Sequence, residues 1–286
     1  MADEDDEGGE GGEGGGTGLP ASLEMAWGLR ERPGKGPRPT LTLPRIVETA
    51  VTLAAGEGMD AVSMGRVAKE LGVSTMSLYR YVTAKEELYI LMSDAGVGAP
   101  PALPPEADGW GWRELLSQWA FDQRAVLMAN PWILRIPITG APVSPNQLAW
   151  MERGLAALAD TGLGEGEKIS TIILIGGLVR NEATMAADMM DAIVKSGVSP
   201  DQVLGQYVRT LRLMTGPDTH PAVTRLLESD AFTGSDEPDF QFRFGLNRIL
   251  DGLATRVASG RTDGDPGPGP GPGPGPGPGP GPGGGG

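Results

Sequence analysis

The residues able to do chemistry are few, and their types narrow the choice quickly. The chain of 286 residues has no cysteine and one histidine, His220. Thiol catalysis, Cys-rich zinc sites and a His-pair metal centre are therefore excluded. A serine triad would have to run through His220, which stands between Thr219 and Pro221 in a turn-like stretch, and no G-x-S-x-G occurs. His220 reads as a surface loop residue, and no cofactor is implied. What remains is a short polar run, Ser74-Thr75-Met76-Ser77, suited to meeting hydrogen-bonding edges on a partner rather than to breaking bonds.

The elements that must hold this run can be read from spacing and punctuation. Leu43, Ile46, Val47, Ala50, Leu53 and Ala54 recur every three or four residues, which predicts a helix capped by Thr42, tolerant of Pro44 in its first turn and stopped by Gly56 and Gly58. A second helix starts at Ser63 as N-cap, runs through Val67, Ala68 and Leu71, and ends at Gly72, which supplies a left-handed residue. Only Val73 separates it from Ser74, the cap of a third helix over 75–81. Thr83-Ala84-Lys85-Glu86 reads as a capping box opening a fourth, which buries Leu88, Leu91 and Met92. Two short helices joined through Gly-Val-Ser form a helix-turn-helix, whose second helix is held out for the major groove of DNA. Ala68 is small where the helices cross, and Val73 and Leu78 close the core. That leaves Thr75, Met76 and Ser77 on the exposed first turn, where side chains reach base edges. A tight helical hairpin inside an enzyme or a small-molecule carrier would show the same hydrophobic pattern, and spacing alone leaves that alternative open.

Net charge is −14, yet it is unevenly spread. Residues 1–27 hold eight acids and no base, whereas residues 28–85 hold nine bases, Arg80 and Lys85 among them, against five acids. The rest holds 14 bases and 24 acids. A local basic block on an acidic body points to a module for a polyanion such as double-stranded DNA.

Residues 42–92, with Ser63-Met-Gly-Arg-Val-Ala-Lys-Glu-Leu-Gly-Val-Ser-Thr-Met-Ser-Leu-Tyr-Arg-Tyr-Val at their centre and Lys85 following, closely resemble the DNA-binding domain of the TetR family of transcriptional regulators. By that resemblance Thr75, Met76 and Ser77 face bases, while Tyr79, Tyr81, Lys85 and Ser63, with the amide at the start of its helix, bind phosphates. The whole DNA-binding set adds Ser74 and Arg80. Met64 and Gly65 depart from the family pattern, which often has polar or charged residues there. The resemblance further implies a regulator, most simply a repressor, that works as a homodimer on a two-fold symmetric DNA operator and answers to a small molecule.

From Gly109 onward helical periodicity is the only pattern. Helices are expected up to Asn130-Pro131 and then at about 145–161, 166–195, 200–215, 221–229 and 240–259. Five of six tryptophans fall between Trp110 and Trp150, and Met185, Met189 and Met190 cluster later. Trp110, Trp119, Trp132, Trp150, Met185 and Met189 are therefore candidates to line a pocket for a small apolar or aromatic effector, although core packing would give the same pattern. Gly176 and Gly177 inside an apolar helix, and the stripe Phe244, Leu246, Ile249, Leu250 and Leu253, read as dimer surface, although packing of both segments inside the monomer would give the same pattern.

The expected fold class is all-α: a three-helix helix-turn-helix DNA-binding domain at 42–92, a linker at 93–108, and a larger helical bundle for ligand binding and dimerisation at 109–260. Residues 1–41 read as a disordered acidic tail and basic Pro/Gly/Arg arm, and residues 261–286 as a disordered Gly-Pro tail. No apolar run approaches the length of a membrane span, and the acidic start is the opposite of a signal peptide, so a cytoplasmic protein with no membrane partner is expected.

Overall fold

The computed structural model describes residues 18–29, 41–232 and 239–260. The acidic N-terminal run, the arm from 30 to 40 and the Gly-Pro tail lie outside the described residues. The first helix, α1 (Ala21–Ala26), falls within the stretch expected to be disordered, and so corrects that expectation for residues 18–29. Six residues cannot hold a helix alone. This one is held by a distant wall: Leu23 is 2% exposed, and Ser22 Oγ donates to Glu87 Oε2 at 2.6 Å.

Thr42 is extended and its Oγ1 accepts from Arg45 N, starting α2 (Leu43–Glu57), whose inner face buries Leu43, Ile46, Val47, Ala50, Leu53 and Ala54. Ser63 caps α3 (Met64–Leu71) in the same way, accepting from Arg66 N at 3.2 Å. Gly72 ends it at φ 67°, a left-handed conformation that a side chain would strain. Ser74 then caps α4 (Thr75–Tyr79), which stops two residues short of the expected end. Met64, the departure from the family pattern, is buried, so it serves the core of this small domain.

α5 (Lys85–Val97) differs from expectation at both ends. Its N-cap is Ala84, and the carboxylate that reaches back belongs to Glu87, taking the Thr83 N–H at 3.2 Å and the Thr83 hydroxyl. Glu87 is on the buried face where Ser22 also donates, whereas Glu86 faces solvent. At the other end α5 passes Met92 and occupies part of the stretch expected to be a linker.

The bundle comprises α6 (Trp112–Ala129), α7 (Pro145–Ala156), α8 (Glu165–Ser196), α9 (Pro200–Met214), α10 (Pro221–Glu228) and α11 (Phe240–Ser259). A 3-10 turn, Pro131–Arg135, follows α6 because Pro131 cannot continue it. α8 is the axis: α6, α7 and α11 all pack on it, and α7 also packs on α5. The buried rows Leu116-Trp119-Ala120-Leu127, Ile172-Ile175-Val179-Ala183 and Phe242-Leu246-Leu250 recur at helical spacing, with adjacent Trp119 and Ala120 widening the first, so each helix turns one apolar face inward. Each large side chain so buried contributes about 1.5–3 kcal/mol before ordering entropy. Gly154 permits close packing of α7 on α6, since a Cβ there would lie 2.9 Å from the Trp119 ring. No strand occurs among the described residues, and no helix among them is long and apolar enough to cross a membrane.

Candidate functional site

Two places can carry function: the first turn of α4 and a cavity in the bundle. On α4, Ser74 Oγ accepts from Ser77 N at 3.2 Å and lies 2.9 Å from Ser77 Oγ, so the two hydroxyls form one fixed polar edge. Met76 beside them is 73% exposed, while Leu78 on the opposite side is fully buried. Tyr79 and Arg80 are exposed at the end of α4, and exposed Lys85 opens α5 with its Nζ 5.0 Å from the Tyr89 ring centre. Ser63, also exposed, has its hydroxyl engaged in capping. Tyr81 is placed differently from its expected phosphate role: its hydroxyl donates to Leu41 O at 2.9 Å, pinning the entry to α2.

The cavity holds about 570 Å³ between α5, α6, α7 and α8. Trp119, Trp150, Ile133, Ile172 and Met151 supply most of an apolar wall, with Ser93, Gln123, Gln147 and Arg180 as its polar groups. Trp119 Nε1 donates to Trp150 O at 2.8 Å and Trp150 Nε1 to Gly98 O at 2.9 Å, so the two indoles are fixed as a pair. A smaller cleft of about 360 Å³ adjoins it beneath residues 136–143 and shares Gln147 and Arg180.

Of the six expected lining residues the structure brings together two, Trp119 and Trp150. Trp132 is buried instead against α5, where a Cβ at Gly96 would meet its ring at 2.6 Å. Trp110 borders a separate shallow groove with Arg113 and Asn247. Met185 and Met189, at 61% and 57% exposure, stand on the outer face of α8. They follow Val179 and Ala183 by a spacing that rotates them away from the bundle, which the clustering of methionines did not reveal. Gly176 borders the cavity, and a Cβ there would meet nothing within 4 Å, so it provides space and, among the described residues, no second backbone approaches it. Gly177 faces outward.

Comparison with known proteins sets this arrangement in context. The family models that match are bacterial regulatory proteins, tetR family, over residues 46–92, and tetracyclin repressor-like, C-terminal domain, over residues 103–257. The chain belongs to the tetR family. It is 38% identical over 246 residues to the HTH-type transcriptional repressor DrrR1 of Streptomyces coeruleorubidus, across 86% of this chain and 89% of that one. It is also similar to the TetR family protein ActR of Streptomyces coelicolor, solved in complex with actinorhodin, at 27% identity and a TM-score of 0.61 over 77% of this chain and 97% of that one. The same protein in complex with (S)-DNPA matches at 28% identity and a TM-score of 0.58, over 76% and 98%. This tetR-family protein is a DNA-binding transcriptional regulator, and the enzyme reading of the hairpin is not favoured.

Three contacts tie the DNA-binding end of the regulator to its cavity. Buried Asp94 on α5 accepts from Asn146 N at 2.8 Å and Gln147 N at 3.2 Å, capping α7 from outside because Ser144 makes no side-chain cap of its own. Trp132 wedges against Gly96 of the same helix. Trp27, just after α1, donates its Nε1 to Val143 O at 2.8 Å, at the rim of the smaller cleft. Sequence reasoning missed all three, since each joins residues 36 or more apart.

Proposed function

We propose that the regulator binds a two-fold symmetric operator as a homodimer and releases it when a small apolar or aromatic molecule fills the 570 Å³ cavity. One observation carries this reading: Ser93 and Val97, on the helix that starts at Lys85 beside the DNA-facing turn, are themselves cavity wall. A ligand touching α5 therefore acts on the helix that follows α4 in the chain and packs against α2 of the DNA-binding domain. A tenfold preference for the released shape supplies about 1.4 kcal/mol per site, and two sites in a dimer double it. Likeness to a regulator solved with actinorhodin supports a small-molecule effector.

In this reading Thr75, Met76, Ser77 and Ser74 meet bases, and Ser63, Tyr79, Arg80 and Lys85 meet phosphates, which position the protein without specifying sequence. Dimerisation uses the outer face of α8 and α11, where Leu174, Gly177, Met185, Phe240 and Phe244 are exposed, the two phenylalanines stacked on each other at 6.3 Å between ring centres. Large exposed apolar side chains gathered on one pair of helices mark an interaction surface. Selection of bound fragments from random duplex DNA tests the proposal. An enriched motif with two-fold symmetry is expected, and its absence would count against it.

A further inference from the structure

Arg180 is the charged group of the cavity, and among the described residues it has no counter-ion. It projects from α8 into the wall shared by the main cavity and the adjoining cleft. Its Nη2 donates to Leu134 O and Ile136 O, both at 3.1 Å, which fixes the guanidinium plane without neutralising it. Among the described residues no carboxylate pairs with it, and its Nε and Nη1 protons have no protein acceptor. Neighbouring arginines are treated otherwise: Arg124 faces Glu182 and Asp239, Arg135 faces Asp188, and Arg153 faces Asp122. Burial pushes the Arg180 pKa down, with no opposing charge to raise it, and arginine nonetheless stays protonated.

A partly buried cation is costly unless something pairs with it. The free edge of a planar guanidinium fits a planar anion with two acceptor atoms, and such charge-assisted pairs are the strong ones. Gln123, Gln147 and Ser93 add neutral donors and acceptors around it, and the remaining lining is apolar. With a net charge of −14 the protein repels anions at long range, so any attraction must be this local one. We propose that the cavity takes an anionic ligand, an apolar aromatic body bearing one carboxylate, sulfonate or ionised phenol that docks on Arg180.

This rests on the cavity being the effector site, and the test separates the two. Two dyes of the same skeleton are used, anilinonaphthalene sulfonate, which is anionic, and phenyl-naphthylamine, which is neutral. Binding of both to the full-length protein is followed by dye fluorescence. Arg180→Gln should weaken the sulfonate at least tenfold and leave the neutral dye within about threefold, as expected for loss of one charge-assisted pair. Arg180→Lys should restore most of the loss. Unchanged neutral-dye binding shows that the cavity is still formed, so a merely structural role for Arg180 would weaken both dyes alike and overturn the proposal. Equal sulfonate affinity in wild type and Arg180→Gln would overturn it too. Gly176→Leu fills the cavity where a Cβ meets nothing, and should abolish saturable binding of both dyes. If both still bind there as in wild type, the cavity reading itself falls, and the role of Arg180 with it.

Discussion

Replacing Asp94 by alanine should separate folding of the two ends from communication between them. The carboxylate accepts two backbone N–H groups of the first turn of α7, Asn146 at 2.8 Å and Gln147 at 3.2 Å, and the Asn146 side chain at 3.1 Å. Each backbone donor left without a partner costs about 1–3 kcal/mol when buried, and the half-buried position of this turn argues for the lower end. Loss of negative charge at a helix N-terminus adds about 0.3–1 kcal/mol. Asp94→Ala should therefore cost about 2–4 kcal/mol. Asp94→Asn keeps an acceptor oxygen and should cost about 1 kcal/mol. Urea unfolding followed by tryptophan emission, at one fixed protomer concentration, reads the stability, since Trp119, Trp132 and Trp150 are all buried. Operator affinity with and without a cavity-filling dye reads the coupling. Asp94→Asn should bind DNA as wild type does but respond less to the dye. An Asp94→Ala protein within about 0.5 kcal/mol of wild type, or an Asp94→Asn protein with the full response, would refute the reasoning.

Three further outcomes are expected. Tyr81→Phe removes a hydroxyl bonded to Leu41 O, so it should lower stability by about 1 kcal/mol and leave the salt dependence of DNA binding unchanged; a shallower salt slope would return Tyr81 to a phosphate role. Ser77→Ala should change base preference at a symmetric pair of operator positions by about 1–3 kcal/mol, whereas Lys85→Ala should weaken all duplexes alike, as competition binding on operator variants can show. The Arg256 guanidinium, and then the Gly164 amide, hold the Glu167 carboxyl below its ordinary value. A depressed carboxylate stabilises the fold fully above its unfolded-state pKa and loses that contribution as pH falls through the folded-state value. Glu167→Gln should flatten the acid limb of stability below the ordinary carboxylate range, modestly and less so in high salt because the pair is well exposed.

The helices were legible because their ends are written locally. Thr42, Ser63 and Ser74 cap where a short hydroxyl can, Gly72 stops where a left-handed residue is needed, and Pro131 breaks where an N–H is missing. The first turn of α4 was legible for the same reason, being bounded by Ser74 and buried Leu78. What could not be read depends on contacts between distant residues. α1 exists through Ser22 and Glu87, 65 residues apart. The cavity was only half visible, since periodicity tells an inward tryptophan from an outward one but not a filled core from a space. Trp119 and Trp132 are equally apolar and equally buried, yet only Trp119 borders the cavity. Arg180 did leave a signal, a cation directly after the apolar run from Thr171 to Val179. Its inward direction and missing counter-ion needed the structure.

The most direct test of ligand-controlled operator binding is the affinity of the full-length protein for its selected DNA motif, titrated with the anionic dye, in wild type and Gly176→Leu. Wild type should lose at least tenfold in operator affinity at dye saturation, while Gly176→Leu binds the same motif equally well and does not respond. A saturated wild-type cavity with unchanged operator affinity would contradict the coupling of cavity to DNA.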